Sequence, residues 1–274
     1  MPTVAILAGK GNLPLVFAKR AVDRGYRVVV VGLLGEVLPQ LTEIAQVTYP
    51  VALGQWQTII DLLQQEKVRD AYLLGAVSKE LLFANPQLDS RAQKLLTSLK
   101  EKNDNAVIAA FVDDLAREGI VVRPQTDLIG DIMPGPGVLT ALEPDPGVWS
   151  DIHYGWRMAK ALAGLDIGQT VVVKDGAVLA VEAIDGTDAT IARGGALARG
   201  GGVAVKVAKP SQDMRFDVPT IGIDTLRTAI AAGLRAVALE AGKTLVIDAD
   251  TLVWQADTAG ISIVLVNDQG TCDV

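Results

Sequence analysis

Between Lys206 and Gly222 the chain places Lys206, Lys209, Gln212, Asp213, Arg215 and Asp217: three cations, two carboxylates and one amide within seventeen residues. Cations neutralise phosphate oxygens, and a carboxylate can take a proton from water or hold a divalent metal ion. These are the requirements of phosphoryl transfer. The competing reading is a solvated surface loop that happens to be charged. Pro210 and Pro219 restrict the backbone and bias the residues before them, Lys209 and Val218, to extended geometry, so the charged residues between should lie on a loop. Asp213 and Asp217 are the carboxylates available to a water or to a metal. Lys206, Lys209, Gln212 and Arg215, with Thr220 and Gly222 of the following turn, are candidate substrate contacts.

The counts of histidine and cysteine narrow the chemistry. A single histidine, His153, excludes Ser/His/Asp triads, two-histidine zinc sites and histidine-rich binuclear metallophosphoesterases. Any metal would have to be held by oxygen. The single Cys272 excludes an intrachain disulfide and a cysteine metal cluster. A net charge of −7 and a pI of 4.8 argue against nucleic acid as a partner, since sequence-independent binding needs a basic footprint. Half of the residues are apolar and mean hydropathy is +0.32. Yet runs such as Val28–Val31 and Ile261–Val266 stop far short of the ~20 residues that span a bilayer. With no leader pattern before the first strand, the expected location is the cytoplasm. Peripheral contact with the inner face of the cytoplasmic membrane is the most membrane association expected.

The elements that must position these residues alternate in type. Thr3–Ala8 reads as a strand, Gly9-Lys-Gly-Asn-Leu-Pro14 as a turn, and the following residues to Gly25 as a helix. A strand, a Gly-x-Gly turn and a helix open a dinucleotide-type βαβ unit, in which backbone N–H groups approach a phosphate at a helix N-terminus. Gly9, Gly11, Asn12 and Leu13 are therefore candidates. Pro14 stands where a third glycine would complete the fingerprint, and a tight turn without ligand is an equal reading. Further strands at Arg27–Leu33, Asp70–Gly75 and Ile120–Arg123, with helices at Trp56–Lys67, Gln87–Lys100 and Asn105–Glu118, predict a Rossmann-like, doubly wound parallel sheet. Gly75, Ser78 and Lys79 then fall at its carboxyl edge, where such folds bind ligands, although Ser78 could equally cap a helix.

Prolines 134, 136, 144 and 146 mark the strongest shift in composition. The expected division is a first domain over 1–130, a Pro/Gly-rich linker over 131–147, and a mixed α/β catalytic domain over 148–274. In the last, a helix from 148 to 163 precedes a hairpin turning at Asp175-Gly176, whose second strand ends in Glu182. Thr187 and Asp188 could cap the next helix or, with Glu182, face a ligand. The tail predicts a helix at Ile223–Gly233, strands near Ala236–Leu239 and Thr244–Ile247, a helix at Ala249–Ala259 and a closing strand at Ile261–Val266.

Several of these stretches together resemble a known family over nearly the whole chain. They are Ala8–Pro14, Leu165-Asp-Ile-Gly-Gln169, Leu179-Ala-Val-Glu-Ala183 with Gly186-Thr-Asp188, Lys206-Val-Ala-Lys-Pro210, and Phe216-Asp-Val-Pro-Thr-Ile-Gly222. The family is the histidine-poor, LpxI-type UDP-2,3-diacylglucosamine pyrophosphatases of lipid A biosynthesis. The resemblance implies hydrolysis of the pyrophosphate of an amphipathic UDP-lipid to UMP and lipid X, assisted by magnesium or a similar cation. It also implies two domains with the substrate between them, and a homodimer. The aspartate required for hydrolysis in that family falls on Asp217. Asn103-Asp-Asn105 departs from the two successive carboxylates expected there, leaving Asp104 alone. Two other readings of the residues stay open at this point, a nucleotide-dependent ligase of ATP-grasp type and a UDP-sugar binding protein without catalysis.

Overall fold

A computed structural model of the chain describes residues 1–76, 88–99 and 104–272, with the backbone alone at 104 and 105. Contacts gather them into two units, one of Met1–Ile129 with Met214–Asp217 and one of Gly130–Asp213 with Val218–Val274.

The first unit runs β1 (Thr3–Ala8), α1 (Leu13–Asp23), β2 (Arg27–Gly32), α2 (Pro39–Ile44), β3 (Val47–Pro50), α3 (Trp56–Gln65), β4 (Asp70–Leu74), α4 (Ser90–Ser98), α5 (Asp104–Arg117) and β5 (Val121–Val122). Its sheet has the order β3-β2-β1-β4-β5, every pairing parallel. This is the doubly wound arrangement, and β2 is apolar on both faces because helices cover both. On one face Phe17 of α1 meets Tyr72 of β4, ring centroids 4.3 Å apart. On the other, Trp56, Ile59, Ile60 and Leu63 of α3 and Leu115 of α5 pack with Ala5, Leu7, Val29 and Val31. The helix over residues 90–98 is shorter than the periodicity suggests because Asp89 starts it, accepting from Arg91 N at 3.0 Å and Ala92 N at 2.8 Å. The short α2 and β3 have no counterpart in the sequence reading.

The second unit runs β6 (Gly137–Val138), α6 (Pro146–Gly164), β7 (Thr170–Lys174), β8 (Ala177–Val181), α7 (Gly186–Ala198), β9 (Val203–Lys206), β10 (Thr220–Ile221), α8 (Ile223–Ala231), β11 (Ala236–Glu240), β12 (Leu245–Val246), α9 (Ala249–Ala259) and β13 (Ser262–Val266). Its main sheet has the order β6-β13-β11-β9-β7-β8 and mixes parallel with antiparallel pairs, while β10 and β12 form a small parallel pair. Val148, Ile152, Trp156 and Ala159 of α6 cover one face, and Ile191, Leu226, Ala229, Leu252 and Ala256 of α7, α8 and α9 cover the other. The hairpin turns at Asp175 and Gly176, φ 51° and 71°, as a primed turn requires. The Asp151 carboxylate accepts from both of their N–H groups at 2.9 and 2.8 Å.

The segment 131–147, expected as a linker, belongs by its contacts to the second unit. Gly137 and Val138 pair antiparallel with Leu265 and Val264, which makes this stretch the edge strand β6, and Asp145 caps α6 by accepting from Gly147 N and Val148 N. Prolines are tolerated there because an edge strand needs N–H donors on one side only. Among the described residues, no helix is long and apolar enough to cross a membrane.

Candidate active site

In the first unit the turn after β1 is fastened to the segment after β4 through main chain alone. Gly9 N donates to Leu74 O at 2.8 Å, Lys10 N to Ala76 O at 2.7 Å, and Ala76 N to Lys10 O at 3.0 Å. A Cβ on Gly9 would lie 2.5 Å from Ala76 O, so this glycine is accounted for by the chain's own backbone. Gly11, φ 95°, has open space where its Cβ would be. Asn12 precedes α1 without a side-chain cap bond, and Leu13 is buried. Ser78 and Lys79 lie outside the described residues.

Beyond Gly75 the unit holds an apolar cavity of about 210 Å³, walled by Leu7, Leu33, Leu73, Val107, Phe111 and Leu115 among others and reaching Gln125 and Asp217. Trp56, also on its wall, is held by its ring N–H, which donates to Asp114 at 2.9 Å. Arg91 fixes that carboxylate at 2.7 Å. Burial alone would raise the Asp114 pKa, but the Arg91 and Trp56 hydrogen bonds outweigh it and hold the group below its ordinary range. Asp217 reaches the cavity because of its neighbours. Met214 O accepts from Gln125 N at 2.7 Å, and Phe216 is buried in the core formed by Trp56, Phe111 and Leu115. The Arg215 guanidinium lies 5.8 Å from the Phe216 ring centroid. Asp217 itself is left-handed, φ 56°, a conformation that aspartate tolerates better than most residues.

In the second unit Lys206 is the last residue of β9, within the strand expected over Val203–Ala208. Its backbone pairs with Thr170 and Leu239, and its side chain is 8% exposed. Its ammonium donates to Thr187 Oγ1 at 2.8 Å, and Thr187 donates to Glu182 Oε1 at 2.9 Å. The other Glu182 oxygen accepts from Gln169 N at 3.2 Å. Glu182, Thr187 and Lys206 are thus brought together, and Thr187 spends its hydroxyl in this cluster instead of capping α7. The N-cap position belongs to Asp185. Asp188 accepts from Thr225 at 2.9 Å, tying α7 to α8.

The loop begins at a clamp that sequence reasoning did not identify. Glu240 ends β11, is 1% exposed, and accepts from Ala208 N at 2.7 Å, Lys160 at 3.0 Å and Lys243 at 2.8 Å. Lys160 also donates to Ala208 O at 3.0 Å, so both polar groups of that peptide segment are held by side chains. Desolvation would raise the Glu240 pKa, and the bonds from Lys243, Ala208 and Lys160 overcome it and lower it. Immediately after the clamp, Lys209 pairs with Asp166 at 2.8 Å and its N–H donates to Gln212 Oε1 at 3.4 Å. Thr220 sits in β10 and bonds Val218 O at 3.0 Å, and Gly222 precedes α8. Asp213 and Asp217 fall in different units. Among the described residues, no three His, Cys, Asp or Glu side chains gather as a metal-holding group.

Gln125 was also missed, as were Trp56 and Phe216. The available signal was position, since Gln125 follows a strand at the carboxyl edge of a parallel sheet, where ligands bind.

Fold and site together define a two-unit α/β protein with an aspartate on an apolar cavity and a buried lysine, threonine and glutamate cluster. Its family follows from sequence. A model of the LpxI N-terminal domain matches residues 3–132, and one of the LpxI C-terminal domain matches residues 135–264. The chain belongs to the LpxI family. It is 32% identical, over 98% of its length and 99% of the relative's, to the UDP-2,3-diacylglucosamine pyrophosphatase LpxI of Caulobacter vibrioides. Among solved structures, Pal from Bacillus thuringiensis aligns with 98% of this chain and 88% of its own at 11% identity and a TM-score of 0.33. The UDP-glucose 4-epimerase of Thermotoga maritima aligns with 43% of this chain and 35% of its own at 14% identity and a TM-score of 0.30. Both structural likenesses are too low to bear on the chemistry.

Proposed function

We propose that this protein hydrolyses the pyrophosphate of UDP-2,3-diacylglucosamine, giving UMP and 2,3-diacylglucosamine 1-phosphate, which is lipid X. The reading is supported by the family and by the activity in the name of the Caulobacter relative. The observation that carries it is the placement of Asp217 on an apolar cavity in the first unit. A carboxylate suited to water activation and a wall suited to an acyl chain are what an amphipathic diphosphate needs together. In this reading water attacks phosphorus, its proton passes to the Asp217 carboxylate, and the anhydride P–O bond breaks with the electron pair leaving on phosphate oxygen. Lys206 and Lys209 stabilise the charge that develops on the phosphate oxygens.

A divalent cation such as Mg2+ belongs to the proposal. The described residues supply no cage of three carboxylates, but Mg2+ commonly takes one or two protein carboxylates and completes its shell with phosphate oxygens and water. Asp217 and Asp213 are the carboxylates assigned to it. When bound, the ion would neutralise diphosphate charge and make water more acidic. A cytoplasmic homodimer with at most peripheral contact with the inner membrane completes the reading, and analytical ultracentrifugation and vesicle co-sedimentation test those parts.

The central test is Asp217→Asn. It should bind UDP-2,3-diacylglucosamine with near wild-type affinity while hydrolysis falls by about 10³-fold or more, since the proton it takes from water matters mainly in the transition state. Near-normal turnover, or loss of binding, refutes the assignment. Running the wild type with and without ATP separates the alternatives. Release of UMP without ATP supports hydrolysis, ATP-dependent ligation supports the ligase, and binding without turnover supports a binding protein.

A further inference from the structure

Three buried side-chain atoms among the described residues lack a hydrogen-bond partner, namely Gln125 Oε1, Gln169 Oε1 and Thr244 Oγ1. Gln125 is the one that lines the cavity reached by Asp217. It is 4% exposed. Its orientation is set at two points: its backbone N–H donates to Met214 O, and its Nε2 donates to Leu73 O. With Nε2 committed to a carbonyl, the remaining side-chain atom is an acceptor and cannot be exchanged for a donor by flipping the amide. A buried acceptor left without a donor is costly, and native structures keep few of them. An apolar wall has no donor to offer, so the donor must come from what enters.

The proposed substrate carries its two acyl groups by different linkages. In a 2,3-diacylglucosamine the group at position 2 is joined through nitrogen and the group at position 3 through oxygen. The amide has an N–H donor and the ester has none. Gln125 and Asp217 both line the cavity. We infer that an acyl chain lying in it has its linkage to the sugar beside them, and that Gln125 is a specificity-determining residue: its Oε1 accepts a hydrogen bond from the 2-acylamido N–H of the substrate and so selects an N-acylated over an O-acylated sugar. This rests on the hydrolase reading above, with the acyl chain in this cavity.

The test compares UDP-2,3-diacylglucosamine with an analogue carrying an ester in place of the amide at position 2. Wild-type kcat/KM should favour the amide by about tenfold to a hundredfold, the range for one hydrogen bond to a buried acceptor. Gln125→Met keeps the volume and removes the acceptor. It should lower kcat/KM for the amide by a similar factor, leave the ester analogue within about twofold, and bring the preference close to one. A purely structural role would lower both substrates together, and that outcome overturns the inference. So does a wild-type preference below about threefold, which would mean that water satisfies Gln125. Thermal melting monitors the lost bond to Leu73 O. If Gln125→Met does not fold, the wild-type preference alone decides at the same thresholds. Wild-type protein that hydrolyses neither compound refutes the hydrolase reading and the inference with it, whereas hydrolysis of both without preference refutes the inference alone.

Discussion

Gly9→Ala tests whether the first glycine of the turn after β1 serves the fold or a ligand. The added Cβ would stand 2.5 Å from Ala76 O and 2.8 Å from Ala76 C. Both are main-chain atoms, so relief requires the segment after β4 to move. That movement breaks or stretches three bonds, from Gly9 N to Leu74 O, from Lys10 N to Ala76 O and from Ala76 N to Lys10 O. At about 1 kcal/mol net for each, the loss is about 3 kcal/mol. For a unit of this size that corresponds to a fall of about 10 °C in Tm. Because Gly75 and Ala76 line the cavity beside Asp217, kcat/KM measured well below the Tm should fall as well, by about tenfold for a displacement of about 1 Å. Differential scanning calorimetry and a UMP-release assay on the same preparations read both effects. Gly222→Ala is the control, since its nearest neighbour to an added Cβ is Ile247 Cβ at 4.0 Å and its φ of −141° suits any residue. It should change stability by no more than about 0.5 kcal/mol. A Gly9→Ala protein within 2 °C of wild type, roughly the shift of half a kcal/mol, refutes the steric argument.

Phe216→Ala should cost about 3–5 kcal/mol in urea unfolding of the first unit, and Phe216→Leu much less, because the ring fills that unit's core. Equal costs would show that the ring is not packed as described. Filling the cavity with Val107→Trp should raise KM for the diacylated substrate by about tenfold while leaving competitive inhibition by UDP-glucosamine unchanged. An unchanged KM removes the acyl chain from this cavity. Lys160→Met keeps the stem beside Trp156 but releases Ala208 O, so KM should rise by about fivefold, with no further effect in a Lys209→Ala background. Additive effects would sever the clamp from Lys209. The lowered pKa of Glu240 means that the folded protein holds this proton less tightly than the unfolded chain. Its stabilisation is therefore complete above the ordinary value of 4.5 and is lost as pH falls through the lower folded value. Glu240→Gln should flatten that acid limb in chemical denaturation series, and an unaltered slope would count against the assigned shift.

Where a local pattern suffices, the chain could be read directly. Val28–Val31 announce a strand buried on both faces, and Asp175-Gly176 between two Val-rich runs announces a hairpin, because each signal lies within a few residues. The Pro/Gly-rich stretch misled because proline density marks a sheet edge as readily as a linker, and the partner strand β13 lies over a hundred residues later. Val203–Ala208 could also be read as strand, and it runs as strand from Val203 to Lys206, so Lys206 ends a strand just before the charged loop. Asp217 stood out through its motif. Gln125, Glu240 and Lys160 did not, since an amide or a carboxylate becomes part of a site only when sheet neighbours distant in sequence bring Leu73 O or Ala208 N to it.

Met214–Asp217 belongs to the first unit although the chain on either side of it belongs to the second. During synthesis this interleaving imposes an order. The first 129 residues leave the ribosome without the phenylalanine that completes their core and without an acceptor for Gln125 N. That core can close only after α6, α7 and β7 to β9 have also been translated. A gene cut at the apparent boundary would yield an amino-terminal fragment with a hole in its centre and no acid at its cavity. Residues 214–217 supplied in trans on a separate carboxy-terminal polypeptide would have to find that hole by association rather than by being tethered to it. The two halves of this protein are therefore poor candidates for independent shuffling between genes, and an engineered split should be placed elsewhere.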